Sequence, residues 1–317
     1  MGKSRVYVHS AAALGPTGDM RRTERVSLAA DPPPLELKEL VKQVVGVPLR
    51  QASHFVELAA IASQLCLKRL GVPAPEDTAV YVGTGLAEVR KTHALFQQVM
   101  PPGPGMASPF DFINAANNMA AFYVAKLGNF RARNLTVSQE EFSFEWALQL
   151  AWEDLRAGDY RQALAGGVDE NSQPRAQHLR RMALRDDQVI GEGAGFLFLS
   201  VEPERARAEI LGVRHLDAQT IGIELPRQLA DWRQDREPVT LLPGFRLSAD
   251  EIKHLIHTSP DIDVQPYLQH CGCFHTATAF GLAAALDDPA GTSGLVVHVN
   301  RNRAGQWMIV GIRSLTG

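Results

Sequence analysis

The chain has 317 residues, of which 45% are hydrophobic, so it can bury a large core in one domain or in two closely packed domains. A net charge of −3 and a charged fraction of 21% do not indicate nucleic-acid binding. The three cysteines are too few for a disulfide framework, and no apolar run reaches the roughly 18 residues of a membrane span. Because the N-terminus shows no signal-peptide pattern, we expect a cytoplasmic protein that binds neither nucleic acid nor membrane.

The first part of the chain alternates short apolar runs with segments of helical periodicity. The pattern predicts a strand at 5–9, a helix over 53–70 and a buried strand at 78–85 that ends in glycines. A second helix is predicted over 112–128. This alternation is typical of an α/β fold with buried sheets.

The segment 134–159 has the pattern of a short strand, a polar corner and a long amphipathic helix. The corner carries Glu140 and Glu141, two carboxylates at a strand–helix junction where many α/β enzymes present a nucleophile. Buried strands are then predicted at 161–170 and 191–202.

Beyond about residue 205 the pattern becomes less regular. Residues 217–247 are polar, and we expect them to be irregular. The next strands are predicted only at 294–299 and 307–312, where the apolar runs return.

Several short motifs suggest chemistry but also have simpler interpretations. The GTG at 83–85 lacks the third glycine of a dinucleotide fingerprint and favours a tight turn. Cys271 and Cys273 form a C-x-C pair without the second ligand pair of a zinc site, so we expect no metal and no cofactor. The basic segment 180-RRMALR-185 is typical of a solvated helix face, although a docking patch for an acidic partner stays open.

Taken in order, these segments resemble the β-ketoacyl synthase family of the thiolase fold. The matching segments are 134-NLTVSQEEFSFEWALQLAWEDLRAGD-159, 164-LAGGVDE-170, 191-GEGAGFLFLSVE-202 and 275-HTATAFGLAAAL-286. The resemblance extends over residues 1–205 and, more loosely, over 255–312. It implies a five-layer αβαβα architecture of two related halves, with an N-terminal half at 1–205 and a shortened C-terminal half at 206–317.

The sequence departs from the family at the positions that would catalyse condensation. In the alignment, Glu141 occupies the site of the nucleophilic cysteine, and His270 occupies the site of the family lysine. His275 retains the histidine of the "GHT" motif, whereas His257 is only an imperfect counterpart of the second catalytic histidine. A carboxylate cannot store an acyl group as a thioester, so Glu141 cannot replace the thiolate.

The resemblance therefore implies a chain-length-factor-like subunit that has lost its nucleophile. Such a subunit forms a heterodimer with an active ketosynthase in type II polyketide or fatty-acid-like polyene biosynthesis, and works with an acyl carrier protein. Members of the family dimerise through the strand that precedes the nucleophile-bearing turn, here 135-LTVS-138. The residues expected at the acyl tunnel or the subunit interface are Phe142, Phe144, Phe274, Asn118 and Phe122.

Two alternatives stay open at this point. One is a decarboxylase, or another enzyme acting on acyl thioesters, that uses Glu141 with His257 and His275. Against it, an anionic Glu141 would repel a malonyl carboxylate. The other is a non-catalytic scaffold that binds an acidic acyl carrier protein through exposed arginines. Those arginines are Arg180, Arg181 and Arg185.

Overall fold

The computed structural model describes residues 4–21, 26–28, 32–50, 52–103, 105–171, 175–234, 236–257, 262–287 and 293–315. In these ranges eleven strands form one mixed sheet. They are β1 (Val6–Gly15), β2 (Gly18–Asp19), β3 (Ala79–Gly83), β4 (Asn134–Val137), β5 (Gln162–Asp169), β6 (Gly193–Ser200), β7 (Ala208–Leu216), β8 (Val239–Pro243), β9 (Ile262–Val264), β10 (Leu295–Arg301) and β11 (Trp307–Ser314).

Helices connect most of the strands. They are α1 (Lys38–Leu40), α2 (His54–Leu70), α3 (Val89–Val99), α4 (Pro109–Asn114), α5 (Met119–Gly128), α6 (Ser143–Ala157), α7 (Arg175–Met182), α8 (Ile221–Trp232), α9 (Ala249–His257), α10 (Leu268–Cys271) and α11 (Ala277–Leu286). A π-helical turn at Val41–Val45 and a 3₁₀ turn at Glu140–Phe142 complete the described elements.

The order of the strands shows two related halves. Across the sheet the order is β4-β3-β5-β6-β1 followed by β7-β11-β10-β8-β9, with the short β2 paired to β1. When β2 is left out and the five strands of each set are counted in chain order, both sets have the same spatial order. From the outer edge of the sheet inward, this order is third, second, fourth, fifth and first. Parallel and antiparallel pairings also correspond between the two sets. The expected duplication is therefore confirmed, while its boundary at residue 205 stays a prediction.

Two helices lie between the halves and form the central layer. Helix α6 packs on β3, β4 and β5 of the first set and also on β7 and β11 of the second. Helix α11 packs on β1, β5 and β6 and also on β10. Helices α2 and α5 cover the outer face of the first set, and α8 packs on β7 of the second. This is the αβαβα layering of the thiolase-like fold, and it buries both faces of the strands.

Glycines in the first half allow the central helices to approach the sheet closely. A Cβ atom added at Gly83, the last residue of β3, would lie 2.5 Å from the backbone of Ser143 at the start of α6. A Cβ atom at Gly85 would clash with the side chain of His275. The GTG sequence is thus a site of close packing, in agreement with the interpretation as a tight turn.

Most predicted elements are present, but three predictions were wrong. No strand is predicted between residues 202 and 294, where the structure contains β7, β8 and β9. The region 217–247, expected to be irregular, contains α8 and β8. Apolar residues of α8 recur at helical spacing on its buried side, but charged neighbours and Pro226 in its first turns obscure the pattern. The helix expected over 112–128 is divided into α4 and α5 around residues 115–118, where two asparagines offer side-chain groups that compete with helical hydrogen bonds.

Substitution of Gly83 tests the close approach of α6 to β3. We expect Gly83→Ala to lower the free energy of unfolding by about 1–3 kcal/mol, because the backbone of α6 cannot yield to the new methyl group. Gly222→Ala in α8 is the matched control, since nothing lies within 4 Å of its added Cβ. That change should be neutral or stabilising by up to about 1 kcal/mol. Urea denaturation checks both, and equal effects of the two substitutions would contradict the packing described.

Candidate functional site

The corner between β4 and α6 directs Glu141 into the protein interior. The Ser143 hydroxyl accepts a hydrogen bond from the backbone N–H of Gln139 at 2.8 Å and donates one to the backbone carbonyl of Glu140 at 2.7 Å. Glu140 adopts a left-handed φ of 47°. These features fix a single 3₁₀ turn, and the Glu141 side chain at its centre is only 1% exposed.

A guanidinium group neutralises the buried carboxylate. Arg246, which follows β8 in the second half, places Nε 2.7 Å and Nη2 2.6 Å from Oε1 of Glu141. Nε of Arg303, in the turn between β10 and β11, lies 3.8 Å from the same oxygen. The second oxygen, Oε2, is buried and accepts no hydrogen bond from the described residues. Charge-assisted contacts of this kind are the stronger hydrogen bonds in proteins.

Glu141, Arg246 and Arg303 form a cluster, the Glu141 cluster, and His275 lies at its edge. Its Nε2 atom is 4.0 Å from Oε1 of Glu141, and its ring meets Phe245 edge to face. Burial lowers the pKa of His275, although Asp169 and Glu141 act in the opposite direction. The imidazole is therefore neutral at neutral pH and contributes no full positive charge to Glu141.

A second carboxylate lies one helical turn beyond Glu141. Oε1 of Glu145 accepts hydrogen bonds from the Thr278 hydroxyl at 2.7 Å and from the Asn300 amide at 2.6 Å. Asn300 also donates to the backbone carbonyl of Glu141 at 2.8 Å, which ties β10 to the corner. Burial, offset in part by the hydrogen bonds from Thr278 and Asn300, raises the pKa of Glu145 to about 7.

Three of the four phenylalanines expected at the tunnel or the interface are buried. Phe142, Phe144 and Phe274 belong to the central hydrophobic core and are at most 2% exposed. In contrast, Asn118 is exposed and Phe122 is about half exposed on the outer side of the first half. The structure therefore does not bring these five residues together, and their role in a tunnel stays a prediction.

The other expected site residues lie elsewhere or only beside the cluster. Nδ1 of His270 contacts the carbonyl of Val26 at 3.1 Å, and His270 lines a separate cavity of about 240 Å³ with Met20 and Phe280. The structure does not place it with Glu141. His257 is the last residue of α9, and its side chain lies outside the described residues.

The three arginines of the basic segment are exposed. Arg180 and Arg181 lie in the last turn of α7. Arg185 pairs with Asp187 at 3.2 Å and donates to the carbonyl of Phe245 at 3.3 Å, next to Arg246. The basic segment thus borders the loop that closes the Glu141 cluster.

Sequence reasoning missed Arg246, Arg303, Asn300 and Glu145. The first three come from the second half, where the sequence pattern is weak. Glu145 did carry a signal, because it follows Glu141 by four residues in an amphipathic helix and so shares its inward face. An acid on the apolar face of a helix requires a buried partner.

A buried cysteine, Cys273, lies near the cluster. Cys273 packs with Met182 and Phe245 and is only 3% exposed. Burial raises the pKa of Cys273 to about 12, so the thiol is neutral at physiological pH. Since the thiolate is the nucleophilic form, this cysteine cannot accept an acyl group at a useful rate.

The family assignment rests on the first half of the chain. Residues 35–204, more than half of the sequence, match the model of the β-ketoacyl synthase N-terminal domain. The chain belongs to the β-ketoacyl synthase family. No curated protein sequence is significantly similar to it.

Solved structures share the fold along the whole chain. The ishigamide ketosynthase/chain length factor is 17% identical with a TM-score of 0.77, over 98% of this chain and 99% of that one. AntDE:AntF, a type II PKS acyl-carrier protein in complex with its ketosynthase bound to the hexaketide, is 15% identical with a TM-score of 0.78, over 99% and 100%. A β-ketoacyl synthase from Burkholderia phymatum STM815 is 16% identical with a TM-score of 0.76, over 98% and 100%. At such identities the likeness establishes the fold.

Among the described residues, no helix combines the length and the apolar character of a membrane span. The same residues contain no group of three or more histidine, cysteine or acidic side chains that could hold a metal ion.

The shifted pKa of Glu145 predicts a pH-dependent stability. Between pH 4.5, the ordinary pKa, and about 7 the folded chain keeps a proton that the unfolded chain has lost. Stability contributed by this group is therefore lost as pH rises through that window, by about 3 kcal/mol in total. We expect Glu145→Gln, which keeps the hydrogen-bonding oxygen, to remove this decline.

Urea denaturation at pH 5 and pH 8 measures the effect. The stability of Glu145→Gln relative to the wild type should increase from the lower to the higher pH. Glu153→Gln, at an exposed position of the same helix, is the control. Its free energy of unfolding should differ from that of the wild type by the same amount at pH 5 and at pH 8. A difference for Glu145→Gln that does not change with pH would contradict the shifted pKa.

Proposed function

We propose that this chain is a chain-length-factor-like, catalytically degenerate ketosynthase subunit. It pairs with an active β-ketoacyl synthase and shapes the acyl tunnel in type II polyketide or fatty-acid-like polyene biosynthesis. The observation that carries the proposal is the buried ion pair between Glu141 and Arg246 at the nucleophile position. We place the protein in the cytoplasm, as the sequence predicts.

The chemistry of the corner supports this proposal. Condensation requires a thiolate that accepts the acyl chain and later releases it. Here the position carries a carboxylate whose Oε1 atom is already occupied by a guanidinium group. An acyl group on such an oxygen would be a mixed anhydride, formed at the cost of the ion pair. The reacting thiol must therefore come from another polypeptide.

The decarboxylase alternative receives less support from the geometry. It needs Glu141 to act with His257 and His275. His275 lies 4.0 Å from the carboxylate, whereas the side chain of His257 lies outside the described residues. Moreover, Arg246 already neutralises the group that would serve as acid or base. The observations therefore favour the non-catalytic subunit.

The outer edge of the first half supports pairing with a second subunit. Strand β4 is at the end of the sheet and pairs only with β3, so its other edge is unpaired in the described chain. Such edges add a strand from a partner readily. The Asn134 side chain donates to the carbonyl of Ala121 at 3.0 Å, which connects this edge to α5.

Exposed apolar side chains are concentrated on or beside α3, α4 and α5, and α5 packs on β4. Clusters of large exposed hydrophobic side chains mark interaction sites. We call this set the apolar face; it consists of Phe96, Val99, Met100, Met106, Phe110, Phe112, Ile113 and Phe122. Its occupant in the proposal is the cysteine-bearing ketosynthase. Two observations support this choice: α5, which carries Phe122, packs on β4 with its unpaired edge, and the related solved structures include a ketosynthase/chain length factor.

The basic segment supports contact with an acyl carrier protein. Arg180 and Arg181 are exposed at the end of α7, and the carbonyl of Met182 accepts a hydrogen bond from Arg246. An acidic carrier that binds these arginines would therefore lie over the Glu141 cluster. Electrostatic attraction of this kind raises the association rate of charged partners.

Co-purification tests the pairing. The chain should be co-expressed with the cysteine-bearing ketosynthase whose gene lies nearest to its own, and the complex isolated through a tag on that ketosynthase. We expect Phe112→Asp/Ile113→Asp to reduce recovery at least about tenfold, because two charges would be buried in an apolar interface. Ile223→Asp is the control, since Ile223 is 74% exposed in α8, outside the apolar face, and should not affect recovery.

Light scattering distinguishes the possible results. A complex of one copy of each chain supports the proposal. A chain that stays monomeric beside the ketosynthase, or a double variant that pairs as well as the wild type, would overturn it.

A further inference from the structure

Positively charged groups from different parts of the fold converge on one oxygen of Glu141. Arg246 comes from the loop after β8, and Arg303 comes from the turn between β10 and β11. Two guanidinium groups therefore face a single carboxylate. Neither arginine forms another ion pair among the contacts of the described residues.

The position of Arg246 does not depend on Glu141 alone. Its Nη2 atom donates to the carbonyl of Met182 at 2.8 Å, and its guanidinium lies 4.9 Å from the centre of the Phe245 ring. These two contacts hold the guanidinium without using the carboxylate. A cation–π contact and a hydrogen bond to backbone would both persist if the glutamate side chain were shortened.

The carboxylate itself is buried but not fully bound. Oε2 of Glu141 is a buried acceptor without a hydrogen bond from the described residues, and Nδ1 of His275 is likewise unpartnered. Arg303, in contrast, is 42% exposed, so its side chain extends from solvent to the buried oxygen. This arrangement is typical of a binding site for a small anion, with the positively charged side chain of Arg303 at its entrance.

From this geometry we infer that Arg246, Arg303 and His275 form a carboxylate-binding pocket that Glu141 occupies as a resident ligand. The ligand class of the pocket is a small monocarboxylate anion. In the intact chain the glutamate excludes external carboxylates from the pocket. If the chain is the subunit proposed above, the same contact keeps the carboxylate of a malonyl-type extender out of the degenerate site; the pocket itself does not depend on that function.

A truncated variant supplies a direct test, because Glu141→Ala removes a group of the size and charge of acetate. Acetate should bind this variant at least about tenfold more tightly than it binds the wild type, since it restores charge-assisted hydrogen bonds to a buried guanidinium. Titration with ¹³C-labelled sodium acetate, followed by NMR, measures the affinity. Thermal denaturation in sodium acetate against sodium chloride of equal ionic strength should show an acetate-specific rise in Tm for the variant alone.

Glu145→Ala is the matched control. It removes a buried carboxylate from the same face of α6, but its oxygen contacts Thr278 and Asn300 rather than an arginine. Acetate should therefore not rescue it. The double variant Glu141→Ala/Arg246→Met should also lose acetate binding, and the neutral analogue acetamide should bind Glu141→Ala more weakly than acetate does.

Each outcome of these measurements either supports or contradicts the proposed pocket. Acetate binding by Glu141→Ala that disappears with Arg246→Met supports the pocket. Equal responses of Glu141→Ala and Glu145→Ala, or no response of folded Glu141→Ala, would overturn it. If Glu141→Ala does not fold by itself, the readout becomes recovery of folded protein on refolding into acetate, and no recovery also counts against the pocket. None of these measurements involves a ketosynthase, so the outcome is independent of the pairing experiment.

Discussion

The buried contact between Glu141 and Arg246 determines what the centre of this protein can do. The two residues are separated by 105 positions, and they come from the two halves of the fold. Removing two charges from water costs several kcal/mol per ion, which is recovered only when the geometry is good and further hydrogen bonds satisfy the groups. Arg246 meets this condition through two contacts to the carboxylate and one to a backbone carbonyl. The pair therefore fixes how the loop after β8 closes over the corner that precedes α6.

The same contact determines which groups meet at the corner before α6. A reactive cysteine needs positive surroundings to exist as a thiolate. At this corner the guanidinium groups of Arg246 and Arg303 instead face the carboxylate of Glu141. The central layers remain tightly packed, because the glycines of β3 and its following turn bring α6 and His275 directly against the sheet. In the function proposed for this chain, the fold is kept while another subunit supplies the condensing chemistry, and a separation of this kind is common among enzyme folds.

The sequence predicted the parts of the structure that depend on local patterns. The buried strands β3 and β5 follow from apolar runs that end in glycines, and β6 follows from an apolar run that begins after a glycine turn. Glu141 was placed at the corner by its position between a strand and a helix. Arg246 and Asn300 could not be found in this way, because their partners are remote in sequence and the second half lacks a clear period. His270 shows the opposite problem. An aligned motif assigned it to the site, but its neighbours in α10 direct it to a different cavity.

The most direct test of the central claim is whether this chain alone can form a carbon–carbon bond. The purified protein is incubated with an acyl primer and a malonyl extender on acyl carrier protein, with and without the cysteine-bearing ketosynthase, and the acyl products are analysed by mass spectrometry. Elongated product should appear only when the ketosynthase is present, and it should disappear when the nucleophilic cysteine of that ketosynthase is replaced by alanine. Elongation by this chain in the absence of any other condensing enzyme would contradict the account.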